Sequence, residues 1–250
     1  MGCLDTWWPR FPSRGGKMVH QRCHASLPTP SPLCSSDGSL MFQTLRSICA
    51  GLRLLRHPEL VADLGRRQSQ LAIIRQLKFQ SPTCRISNEV VLTEQSLSEL
   101  RLGEAVSIGH GCVLTFGDEQ NGIGKITVGS QTWIGPYNNL RSGGGRIEIG
   151  CGCLISQFCT LVASHHGTDR DTPIREQAPA IGKRDIRLGD DVWLGAGVTV
   201  TAGSRIGTGA VIGAGSVVIG EVPEYEIWAG SPARKIGERK SSNPSGVAGN

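Results

Sequence analysis

Aliphatic side chains recur every six residues along much of this chain. They stand at Leu102, Ile108 and Leu114, at Val128, Ile134 and Leu140, at Ile149, Ile155 and Leu161, and at Leu188, Leu194, Val200, Ile206, Ile212 and Val218. A helix asks for a period of 3.6 and a half-buried strand for 2, so neither template explains the spacing. The next residue is usually glycine, at 103, 109, 129, 135, 150, 189, 195, 207 and 213. Four positions after the aliphatic one comes a small or β-branched residue: Cys112, Thr132, Cys153, Cys159, Val192, Val198, Ser204, Ala210 or Ser216. Three six-residue sides make a coil of about 18 residues, so the pattern predicts an all-β solenoid of short strands and tight turns. The aliphatic side chain points into a narrow three-sided interior and the small residue fills the space left. Glycine is expected to supply unusual backbone conformations at the corners. A weaker coil, marked by Ile86 and Leu92, precedes the regular ones, and the solenoid domain is placed at 84–237.

Ahead of it the period is helical. Phe42, Leu45, Ile48, Cys49, Leu52 and Leu55 fall on one side of a wheel, with Arg46, Arg53 and Arg56 elsewhere. Pro58 suits the first turn of a second helix carrying Leu60, Val61, Leu64, Leu71, Ile74 and Leu77. The helical segment is placed at 41–80. It has two readings: packing against the solenoid, or peripheral contact of 42–80 with an anionic membrane through its basic face. Residues 1–40 are Pro/Ser-rich and aperiodic and are expected to be a disordered tail, as are 238–250. The abrupt change at Met41 points to Met41 as the start of the working protein. Against that, Met1-Gly2-Cys3-Leu4-Asp5-Thr6 fits the myristoylation pattern, with Cys3 placed for palmitoylation. No apolar stretch resembles a signal peptide or a spanning helix.

Composition agrees with the solenoid. Of 34 glycines, 28 lie in 101–250, without the strict period of collagen, and aromatics are only 5% of the chain, as a narrow bore requires. Residues 1–80 hold 11 Lys/Arg against 4 Asp/Glu, whereas the remainder is slightly acidic, so no nucleic-acid partner is expected. Cys112, Cys153 and Cys159 fall in the small interior slot, which points to a reducing, cytoplasmic setting. Cys151 and Cys153 form a C-x-C without the paired spacing of a zinc site, so no metal is expected.

The repeat breaks at 116–125, at 142–146 (Ser-Gly-Gly-Gly-Arg) and at 162–187, and such interruptions are where a solenoid carries function. The longest holds Ala163-Ser164-His165-His166-Gly167, then Pro173-Ile174 and Gln177. Together with IRLGDDVWLGAGVTVTAGSRIGTGAVIGAGSVV and AGSPARKIG, this resembles the hexapeptide-repeat acetyltransferases, the left-handed parallel β-helix enzymes that include the maltose/galactoside and the chloramphenicol/streptogramin O-acetyltransferases.

The resemblance implies acetyl-CoA as acyl donor, a homotrimer, and direct transfer to a hydroxyl of a carbohydrate or similar small acceptor. It implies His166 as the general base, with His165 as the other candidate. A neutral imidazole in reach of an alcohol takes its proton as the thioester is attacked. It also implies that Trp193, Ala196 and Ala214 line the pantetheine channel and that Arg234 and Lys235 lie near the nucleotide phosphates. Ile219-Gly220 departs from the Thr-Lys of many relatives there, and Pro136 stands where galactoside-type relatives carry a functional Asn. Stacking of coils offers Asn138, Asn139 and Arg141 as acceptor-binding residues, with Asn138 alternatively filling an interior slot. His110, at a variable repeat position, is expected to be exposed. Two rival readings share the solenoid. One is a γ-carbonic-anhydrase-like metalloenzyme using His110, His165 and His166, and the other is a non-catalytic scaffold.

Overall fold

The computed structural model describes residues 37–54, 56–93, 97–116, 124–178, 180, 182 and 184–241. The chain divides into two compact units, 1–53 and 54–250. The first contains helix α1 (Asp37–Leu54), which opens ahead of Met41; its described side chains are exposed, Leu45 and Ile48 among them. The lipidation pattern at Gly2 and Cys3, and most of the 1–40 tail, lie outside the described residues.

The second unit is a three-sided parallel β-helix. Its strands run in triplets: β1 (Arg85–Ile86), β2 (Val91–Leu92), β3 (Leu100–Leu102); β4 (Ser107–Ile108), β5 (Val113–Thr115), β6 (Lys125–Val128); β7 (Trp133–Ile134), β8 (Asn139–Arg141), β9 (Arg146–Ile149); β10 (Leu154–Ile155), β11 (Thr160–Val162), β12 (Ile186–Leu188); β13 (Trp193–Leu194), β14 (Thr199–Thr201), β15 (Arg205–Ile206); β16 (Val211–Ile212), β17 (Val217–Val218), β18 (Glu221–Val222). The first, second and third members stack into sheets A, B and C. Six full coils result, the weak one at Ile86 and Leu92 included. Aliphatic residues stack in register: Ile134 under Ile155 under Leu194, and Leu140 under Leu161 under Val200. Leu194 and Ile212, eighteen residues apart in sequence, are direct neighbours.

The small interior residue does more than fill space. It donates to the carbonyl after the aliphatic residue of the next coil: Cys112 Sγ to Gly135 O (3.0 Å), Cys153 Sγ to Gly189 O (3.2 Å), Cys159 Sγ to Gly195 O (3.2 Å) and Thr132 Oγ1 to Gly150 O (2.8 Å). Burial pushes the Cys153 and Cys159 thiols up to about 11 and raises Cys112 as well. The thiolate is the reactive form. Under native conditions a thiol reagent is therefore expected to label Cys49 and Cys151, which are exposed, and to spare Cys112, Cys153 and Cys159 until the chain unfolds. Peptide mapping after iodoacetamide treatment checks this.

The recurrent glycines need correcting. Those after the aliphatic residues are required for space, not for φ. A Cβ on Gly129 would lie 2.5 Å from the Gly150 carbonyl carbon, and one on Gly195 would lie 2.6 Å from the Ala214 nitrogen. The next coil's backbone occupies the volume. Positive φ comes two residues later, at Gly111, Gly197 and Gly215 but also at Ala105, Gln131, Tyr137, Phe158, Asp191 and Tyr225.

Helix α2 (Pro58–Gln80) caps the first coil. Ile74 and Leu77 are buried on it, and Gln70 brackets the edge strand, donating to Leu92 O (2.9 Å) and accepting from Leu92 N–H (3.2 Å). Leu60, Val61 and Leu64, read as part of the same packed stripe, are exposed. At the other end β19 (Glu226–Gly230) continues sheet A and β20 (Ala233–Glu238) returns antiparallel to it. No helix among the described residues is long and apolar enough to cross a membrane.

The outer faces differ. Sheet C presents Arg101, Lys125, Arg146, Glu148, Arg187, Arg205 and Glu221, with Arg187 paired to Glu148 at 3.0 Å. Sheet A presents Arg85, Ser107, Trp133, Leu154, Trp193, Val211 and Ile227, and sheet B mostly Thr and Val, with Asn139 and Arg141 on β8.

Candidate active site

All three interruptions leave the solenoid at one corner. The connections β5 to β6, β8 to β9 and β11 to β12 each run from sheet B to sheet C in successive coils, and the described residues of the second and third meet. The middle one is the floor. Gly145 N–H donates to Ser142 O (2.6 Å) across a turn with Gly144 at φ 78°, and Ser142 is fully buried, donating to Thr115 O (3.1 Å). Both feet of the long loop rest on this turn. A Cβ on Gly145 would lie 2.3 Å from Ala163 O and 3.0 Å from Arg184 O. The Arg184 guanidinium donates to Gly144 O (3.2 Å), and Asp185 Oδ1 accepts from Arg146 N–H (3.0 Å). Glycines at 144 and 145 thus let the loop sit down on the coil below.

The loop then folds on itself. Gly167 N–H donates to Ala178 O (3.3 Å) and Ala180 N–H to His165 O (3.0 Å). Gln177 staples the outer lobe: its Oε1 accepts from Asp169 N–H (2.9 Å), and its Nε2 donates to Asp169 O (2.7 Å) and Thr172 O (2.6 Å). Gly167 makes room for it, since a Cβ there would meet Gln177 Oε1 at 2.5 Å.

Both histidines are exposed, but they are held differently. His165 Nε2 lies 3.4 Å from the carbonyl oxygen of Ala202, a buried residue of the next coil. His166 makes no side-chain hydrogen bond among the described residues. A ring nitrogen held by a backbone carbonyl carries the proton and leaves the other with its lone pair. The sequence signals neither this partner nor the Gln177 staple by themselves, because both depend on how the loop folds back.

The other candidates separate into groups. Asn139 and Arg141 point outward from β8, beside Thr160 and Val162 of the strand that leads to the histidines, so the fold brings them to the same face. Asn138 is a correction. It is 1% exposed inside the bore, its Nδ2 donating to Gly135 O (2.8 Å) and its Oδ1 accepting from Cys159 N–H (2.6 Å), so it cannot reach an acceptor. Trp193, half exposed, begins β13 on sheet A, with Ala196 and Ala214 at the following corner of two adjacent coils. Sheet A lies opposite the sheet B to sheet C corner, so one chain does not bring these residues to its own histidines. Arg234 is exposed on β20. Lys235 is committed to carboxylates, 2.7 Å from Glu226 Oε1 and bonded to Glu238. The hydrogen bond to Glu226 raises the Lys235 pKa and lowers that of Glu226. Its role as a phosphate contact would need those pairs to open.

His110 is half-buried rather than exposed, edge-on to Tyr137 at 4.9 Å. It stands at the corner between sheets A and B, the far end of sheet B from the other two histidines. Within one chain the three histidines are therefore not gathered, and no such group of His, Cys, Asp or Glu occurs among the described residues; the metalloenzyme reading draws its ligands from adjacent subunits.

Comparison with known proteins accords with this architecture. Residues 185–220 match the bacterial transferase hexapeptide family (six repeats). A probable acetyltransferase of Mycobacterium tuberculosis is 34% identical over 154 residues, covering 58% of this chain and 46% of that protein, so the chain spans about half its length. Among solved structures, AntD, an N-acyltransferase from Bacillus cereus, is similar in two complexes. A point variant with dTDP and coenzyme A has a TM-score of 0.56 at 25% identity, covering 66% of this chain and 89% of that one. The complex with dTDP and 3-hydroxybutyryl-CoA gives 0.55 at 25%, covering 66% and 88%. Repeat, stacked parallel coils and these likenesses agree on a left-handed parallel β-helix, and the chain is similar to the hexapeptide-repeat acetyltransferases, with its residues 185–220 matching the hexapeptide transferase family.

Proposed function

We propose that this protein is an acyl-CoA-dependent acyltransferase that moves an acetyl group from coenzyme A to a hydroxyl of a carbohydrate acceptor, with His165 as general base. The observation that carries the reading is the imidazole of His165. It is accessible at the head of the longest loop, and its Nε2 faces the Ala202 carbonyl. That contact is long, as hydrogen bonds of catalytic groups often are before substrate binds. Nδ1 then accepts the acceptor proton as its oxygen attacks the thioester carbonyl carbon. The carbon–sulfur bond breaks as the tetrahedral centre collapses, and the thiolate takes the proton back from the imidazolium. The family resemblance favours His166; the contact of His165 with Ala202 O supports His165 as the base instead, with His166 on the acceptor side.

Acceptor recognition is assigned to Asn139 and Arg141 on the adjacent strand. The donor is assigned to the strip formed by Trp193, Ala196 and Ala214, where two small residues and an indole leave room for a slender chain, with Arg234 toward the phosphates. Because that strip and the histidine loop lie on opposite sides of one chain, the working form is a homotrimer in which each site is completed by a neighbour. An amine acceptor is the second reading, favoured by AntD being an N-acyltransferase. Thiol release from acetyl-CoA across paired hydroxyl and amino sugars is the test. Turnover with a hydroxyl sugar is the expected result. Turnover with amino sugars alone would move the assignment to N-acylation, and no coenzyme A binding by calorimetry would leave the scaffold reading.

A further inference from the structure

The corner between sheets A and B changes character halfway along the solenoid. The residues in register there are Pro136-Tyr137, Gln157-Phe158, Ala196-Gly197 and Ala214-Gly215, one pair per coil. The last two coils offer a smooth lane of small residues. A Cβ on Gly197 would meet only Gly215 N, at 4.0 Å, and one on Gly215 would meet nothing within 4 Å, so the lane is open. The two coils before it carry an aromatic ladder. Tyr137 and Phe158 stack at 5.4 Å with their planes 4° apart, and His110 meets Tyr137 edge-on. On its far side Tyr137 lies against the coil below, where a Cβ on Gly111 would fall 2.4 Å from Tyr137 Cδ1. Phe158 is thus braced from behind by Tyr137, and its other side is turned to the coil that begins the lane. Both rings sit at left-handed backbone positions, φ 57° and 61°, where the coils before and after them use Gly111, Gly197 and Gly215. A bulky side chain strains the backbone there. The rings are 51% and 60% exposed, so burial within the chain does not offset that strain. Strain kept at such a place points to a task.

We infer that Phe158, braced by Tyr137, is the end stop of the donor lane and limits the acyl group to acetyl. The inference rests on the acyltransferase reading, in which the donor lies along Trp193, Ala196 and Ala214 with Arg234 toward its phosphates. Arg234 follows the last coil, Ala214 lies in the sixth and Ala196 in the fifth. A donor laid in that order points its acyl end at the fourth coil, and Phe158 stands there, across the lane. Trp193 closes the sheet A side of the same step, since its Nε1 donates to Ser156 Oγ of the fourth coil (3.4 Å). A methyl group ends against the ring. Each further methylene must turn out into water and gives up the burial that an open lane would provide. A stop must also resist being pushed aside, and the stack supplies that resistance: Phe158 backs onto Tyr137, and Tyr137 onto the backbone at Gly111. Removing both rings would extend the lane by two coils, about 10 Å.

The test compares kcat/KM for acetyl-, butyryl- and hexanoyl-CoA, by thiol release with one acceptor, in the wild-type chain and in Phe158→Gly. Glycine suits the positive φ, so the coil is not endangered. Phe158→Ala is the second variant, since Ala105 shows that a coil carries alanine at φ 54°. The wild-type chain should use hexanoyl-CoA at least about 10²-fold less well than acetyl-CoA, and either variant should narrow that ratio at least about tenfold. Adding Tyr137→Gly to Phe158→Gly should narrow it further. Tyr225→Gly is the control. Tyr225 is equally exposed at φ 60° but stands at the corner between sheets C and A, so the ratio should not move. Circular dichroism should show the same β-helix throughout. A wild-type chain that uses hexanoyl-CoA as well as acetyl-CoA overturns the inference. So does an unchanged ratio in the Phe158 variants, or a change only in the acceptor KM, which would make the rings an acceptor platform. Those results leave the acyltransferase reading standing. A wild-type chain that neither binds nor turns over any of the three acyl-CoA donors removes that reading and this inference with it.

Discussion

Replacing His165 by alanine is expected to lower turnover by about 10²- to 10⁴-fold, the usual contribution of a positioned general base, with the oligomeric state and melting temperature unchanged. His166→Ala should cost about tenfold at most. The difference follows from support, not from residue type. His165 is fixed twice, through its backbone carbonyl by Ala180 N–H and through its ring by Ala202 O, whereas His166 is fixed only through the chain on either side. An imidazole free to rotate loses much of the advantage of being positioned. Alanine does not disturb packing at either place, because both side chains are exposed, so a fall in rate reads as lost chemistry. Steady-state thiol release at saturating acetyl-CoA measures it. Equal losses for the two variants, or a larger one for His166→Ala, would return the base to His166. Mixing separately inactive His165→Ala and Trp193→Ala chains under subunit exchange adds a check. If the base and the donor strip of one site come from different copies, some mixed sites are intact and part of the activity returns.

Much of the solenoid is legible in the sequence because its period is enforced by stacking. Every Leu, Ile or Val of the repeat must lie over its counterpart one coil away, so an error of one residue would turn the row outward. The interior place of Cys112, Cys153 and Cys159 follows from the same arithmetic. The reason for the recurrent glycine does not, since an excluded Cβ and a left-handed φ favour the same residue, and only the close approach of Gly150 to Gly129 separates them. The site is legible in part. The interruptions announce themselves by breaking the period, and their common corner follows from counting sides. What the loop does after leaving the corner depends on tertiary contacts with no local signature, such as His165 toward Ala202 or Gln177 under Asp169. Asn138 misleads for a related reason: a buried amide bonded to Gly135 and Cys159 and an exposed one on an acceptor look alike in sequence. The ladder of Tyr137 and Phe158 is likewise invisible until the coils are stacked.

Gly145→Ala is expected to lower turnover by about 10²-fold without unfolding the β-helix, although residue 145 touches no substrate. The added Cβ would lie 2.3 Å from the Ala163 carbonyl oxygen and 3.0 Å from that of Arg184, the two feet of the histidine loop. Carbon and oxygen settle at ordinary van der Waals separation only if one of them moves by about 1 Å, and a misplacement of that size is enough to cost about 10² in rate. The floor cannot yield downward. Ser142 is fully buried and bonded to Thr115, and the turn is closed by Gly145 N–H on Ser142 O. The loop is the softer side, held by Ala202 at 3.4 Å and by its own hairpin bonds, so it lifts and carries His165 with it. Gly152→Ala is the control. Gly152 also lies at a corner, at φ 65°, but a Cβ there meets nothing within 4 Å. That change should cost about 1 kcal/mol of stability through backbone strain and leave turnover as it is. Equal effects of the two substitutions on rate would mean that the loop is not seated on Gly145. A rate loss at Gly145 alone, with both variants keeping the far-ultraviolet spectrum of the wild-type chain, would tie catalysis to the fit between the Ser-Gly-Gly-Gly-Arg turn and the loop above it.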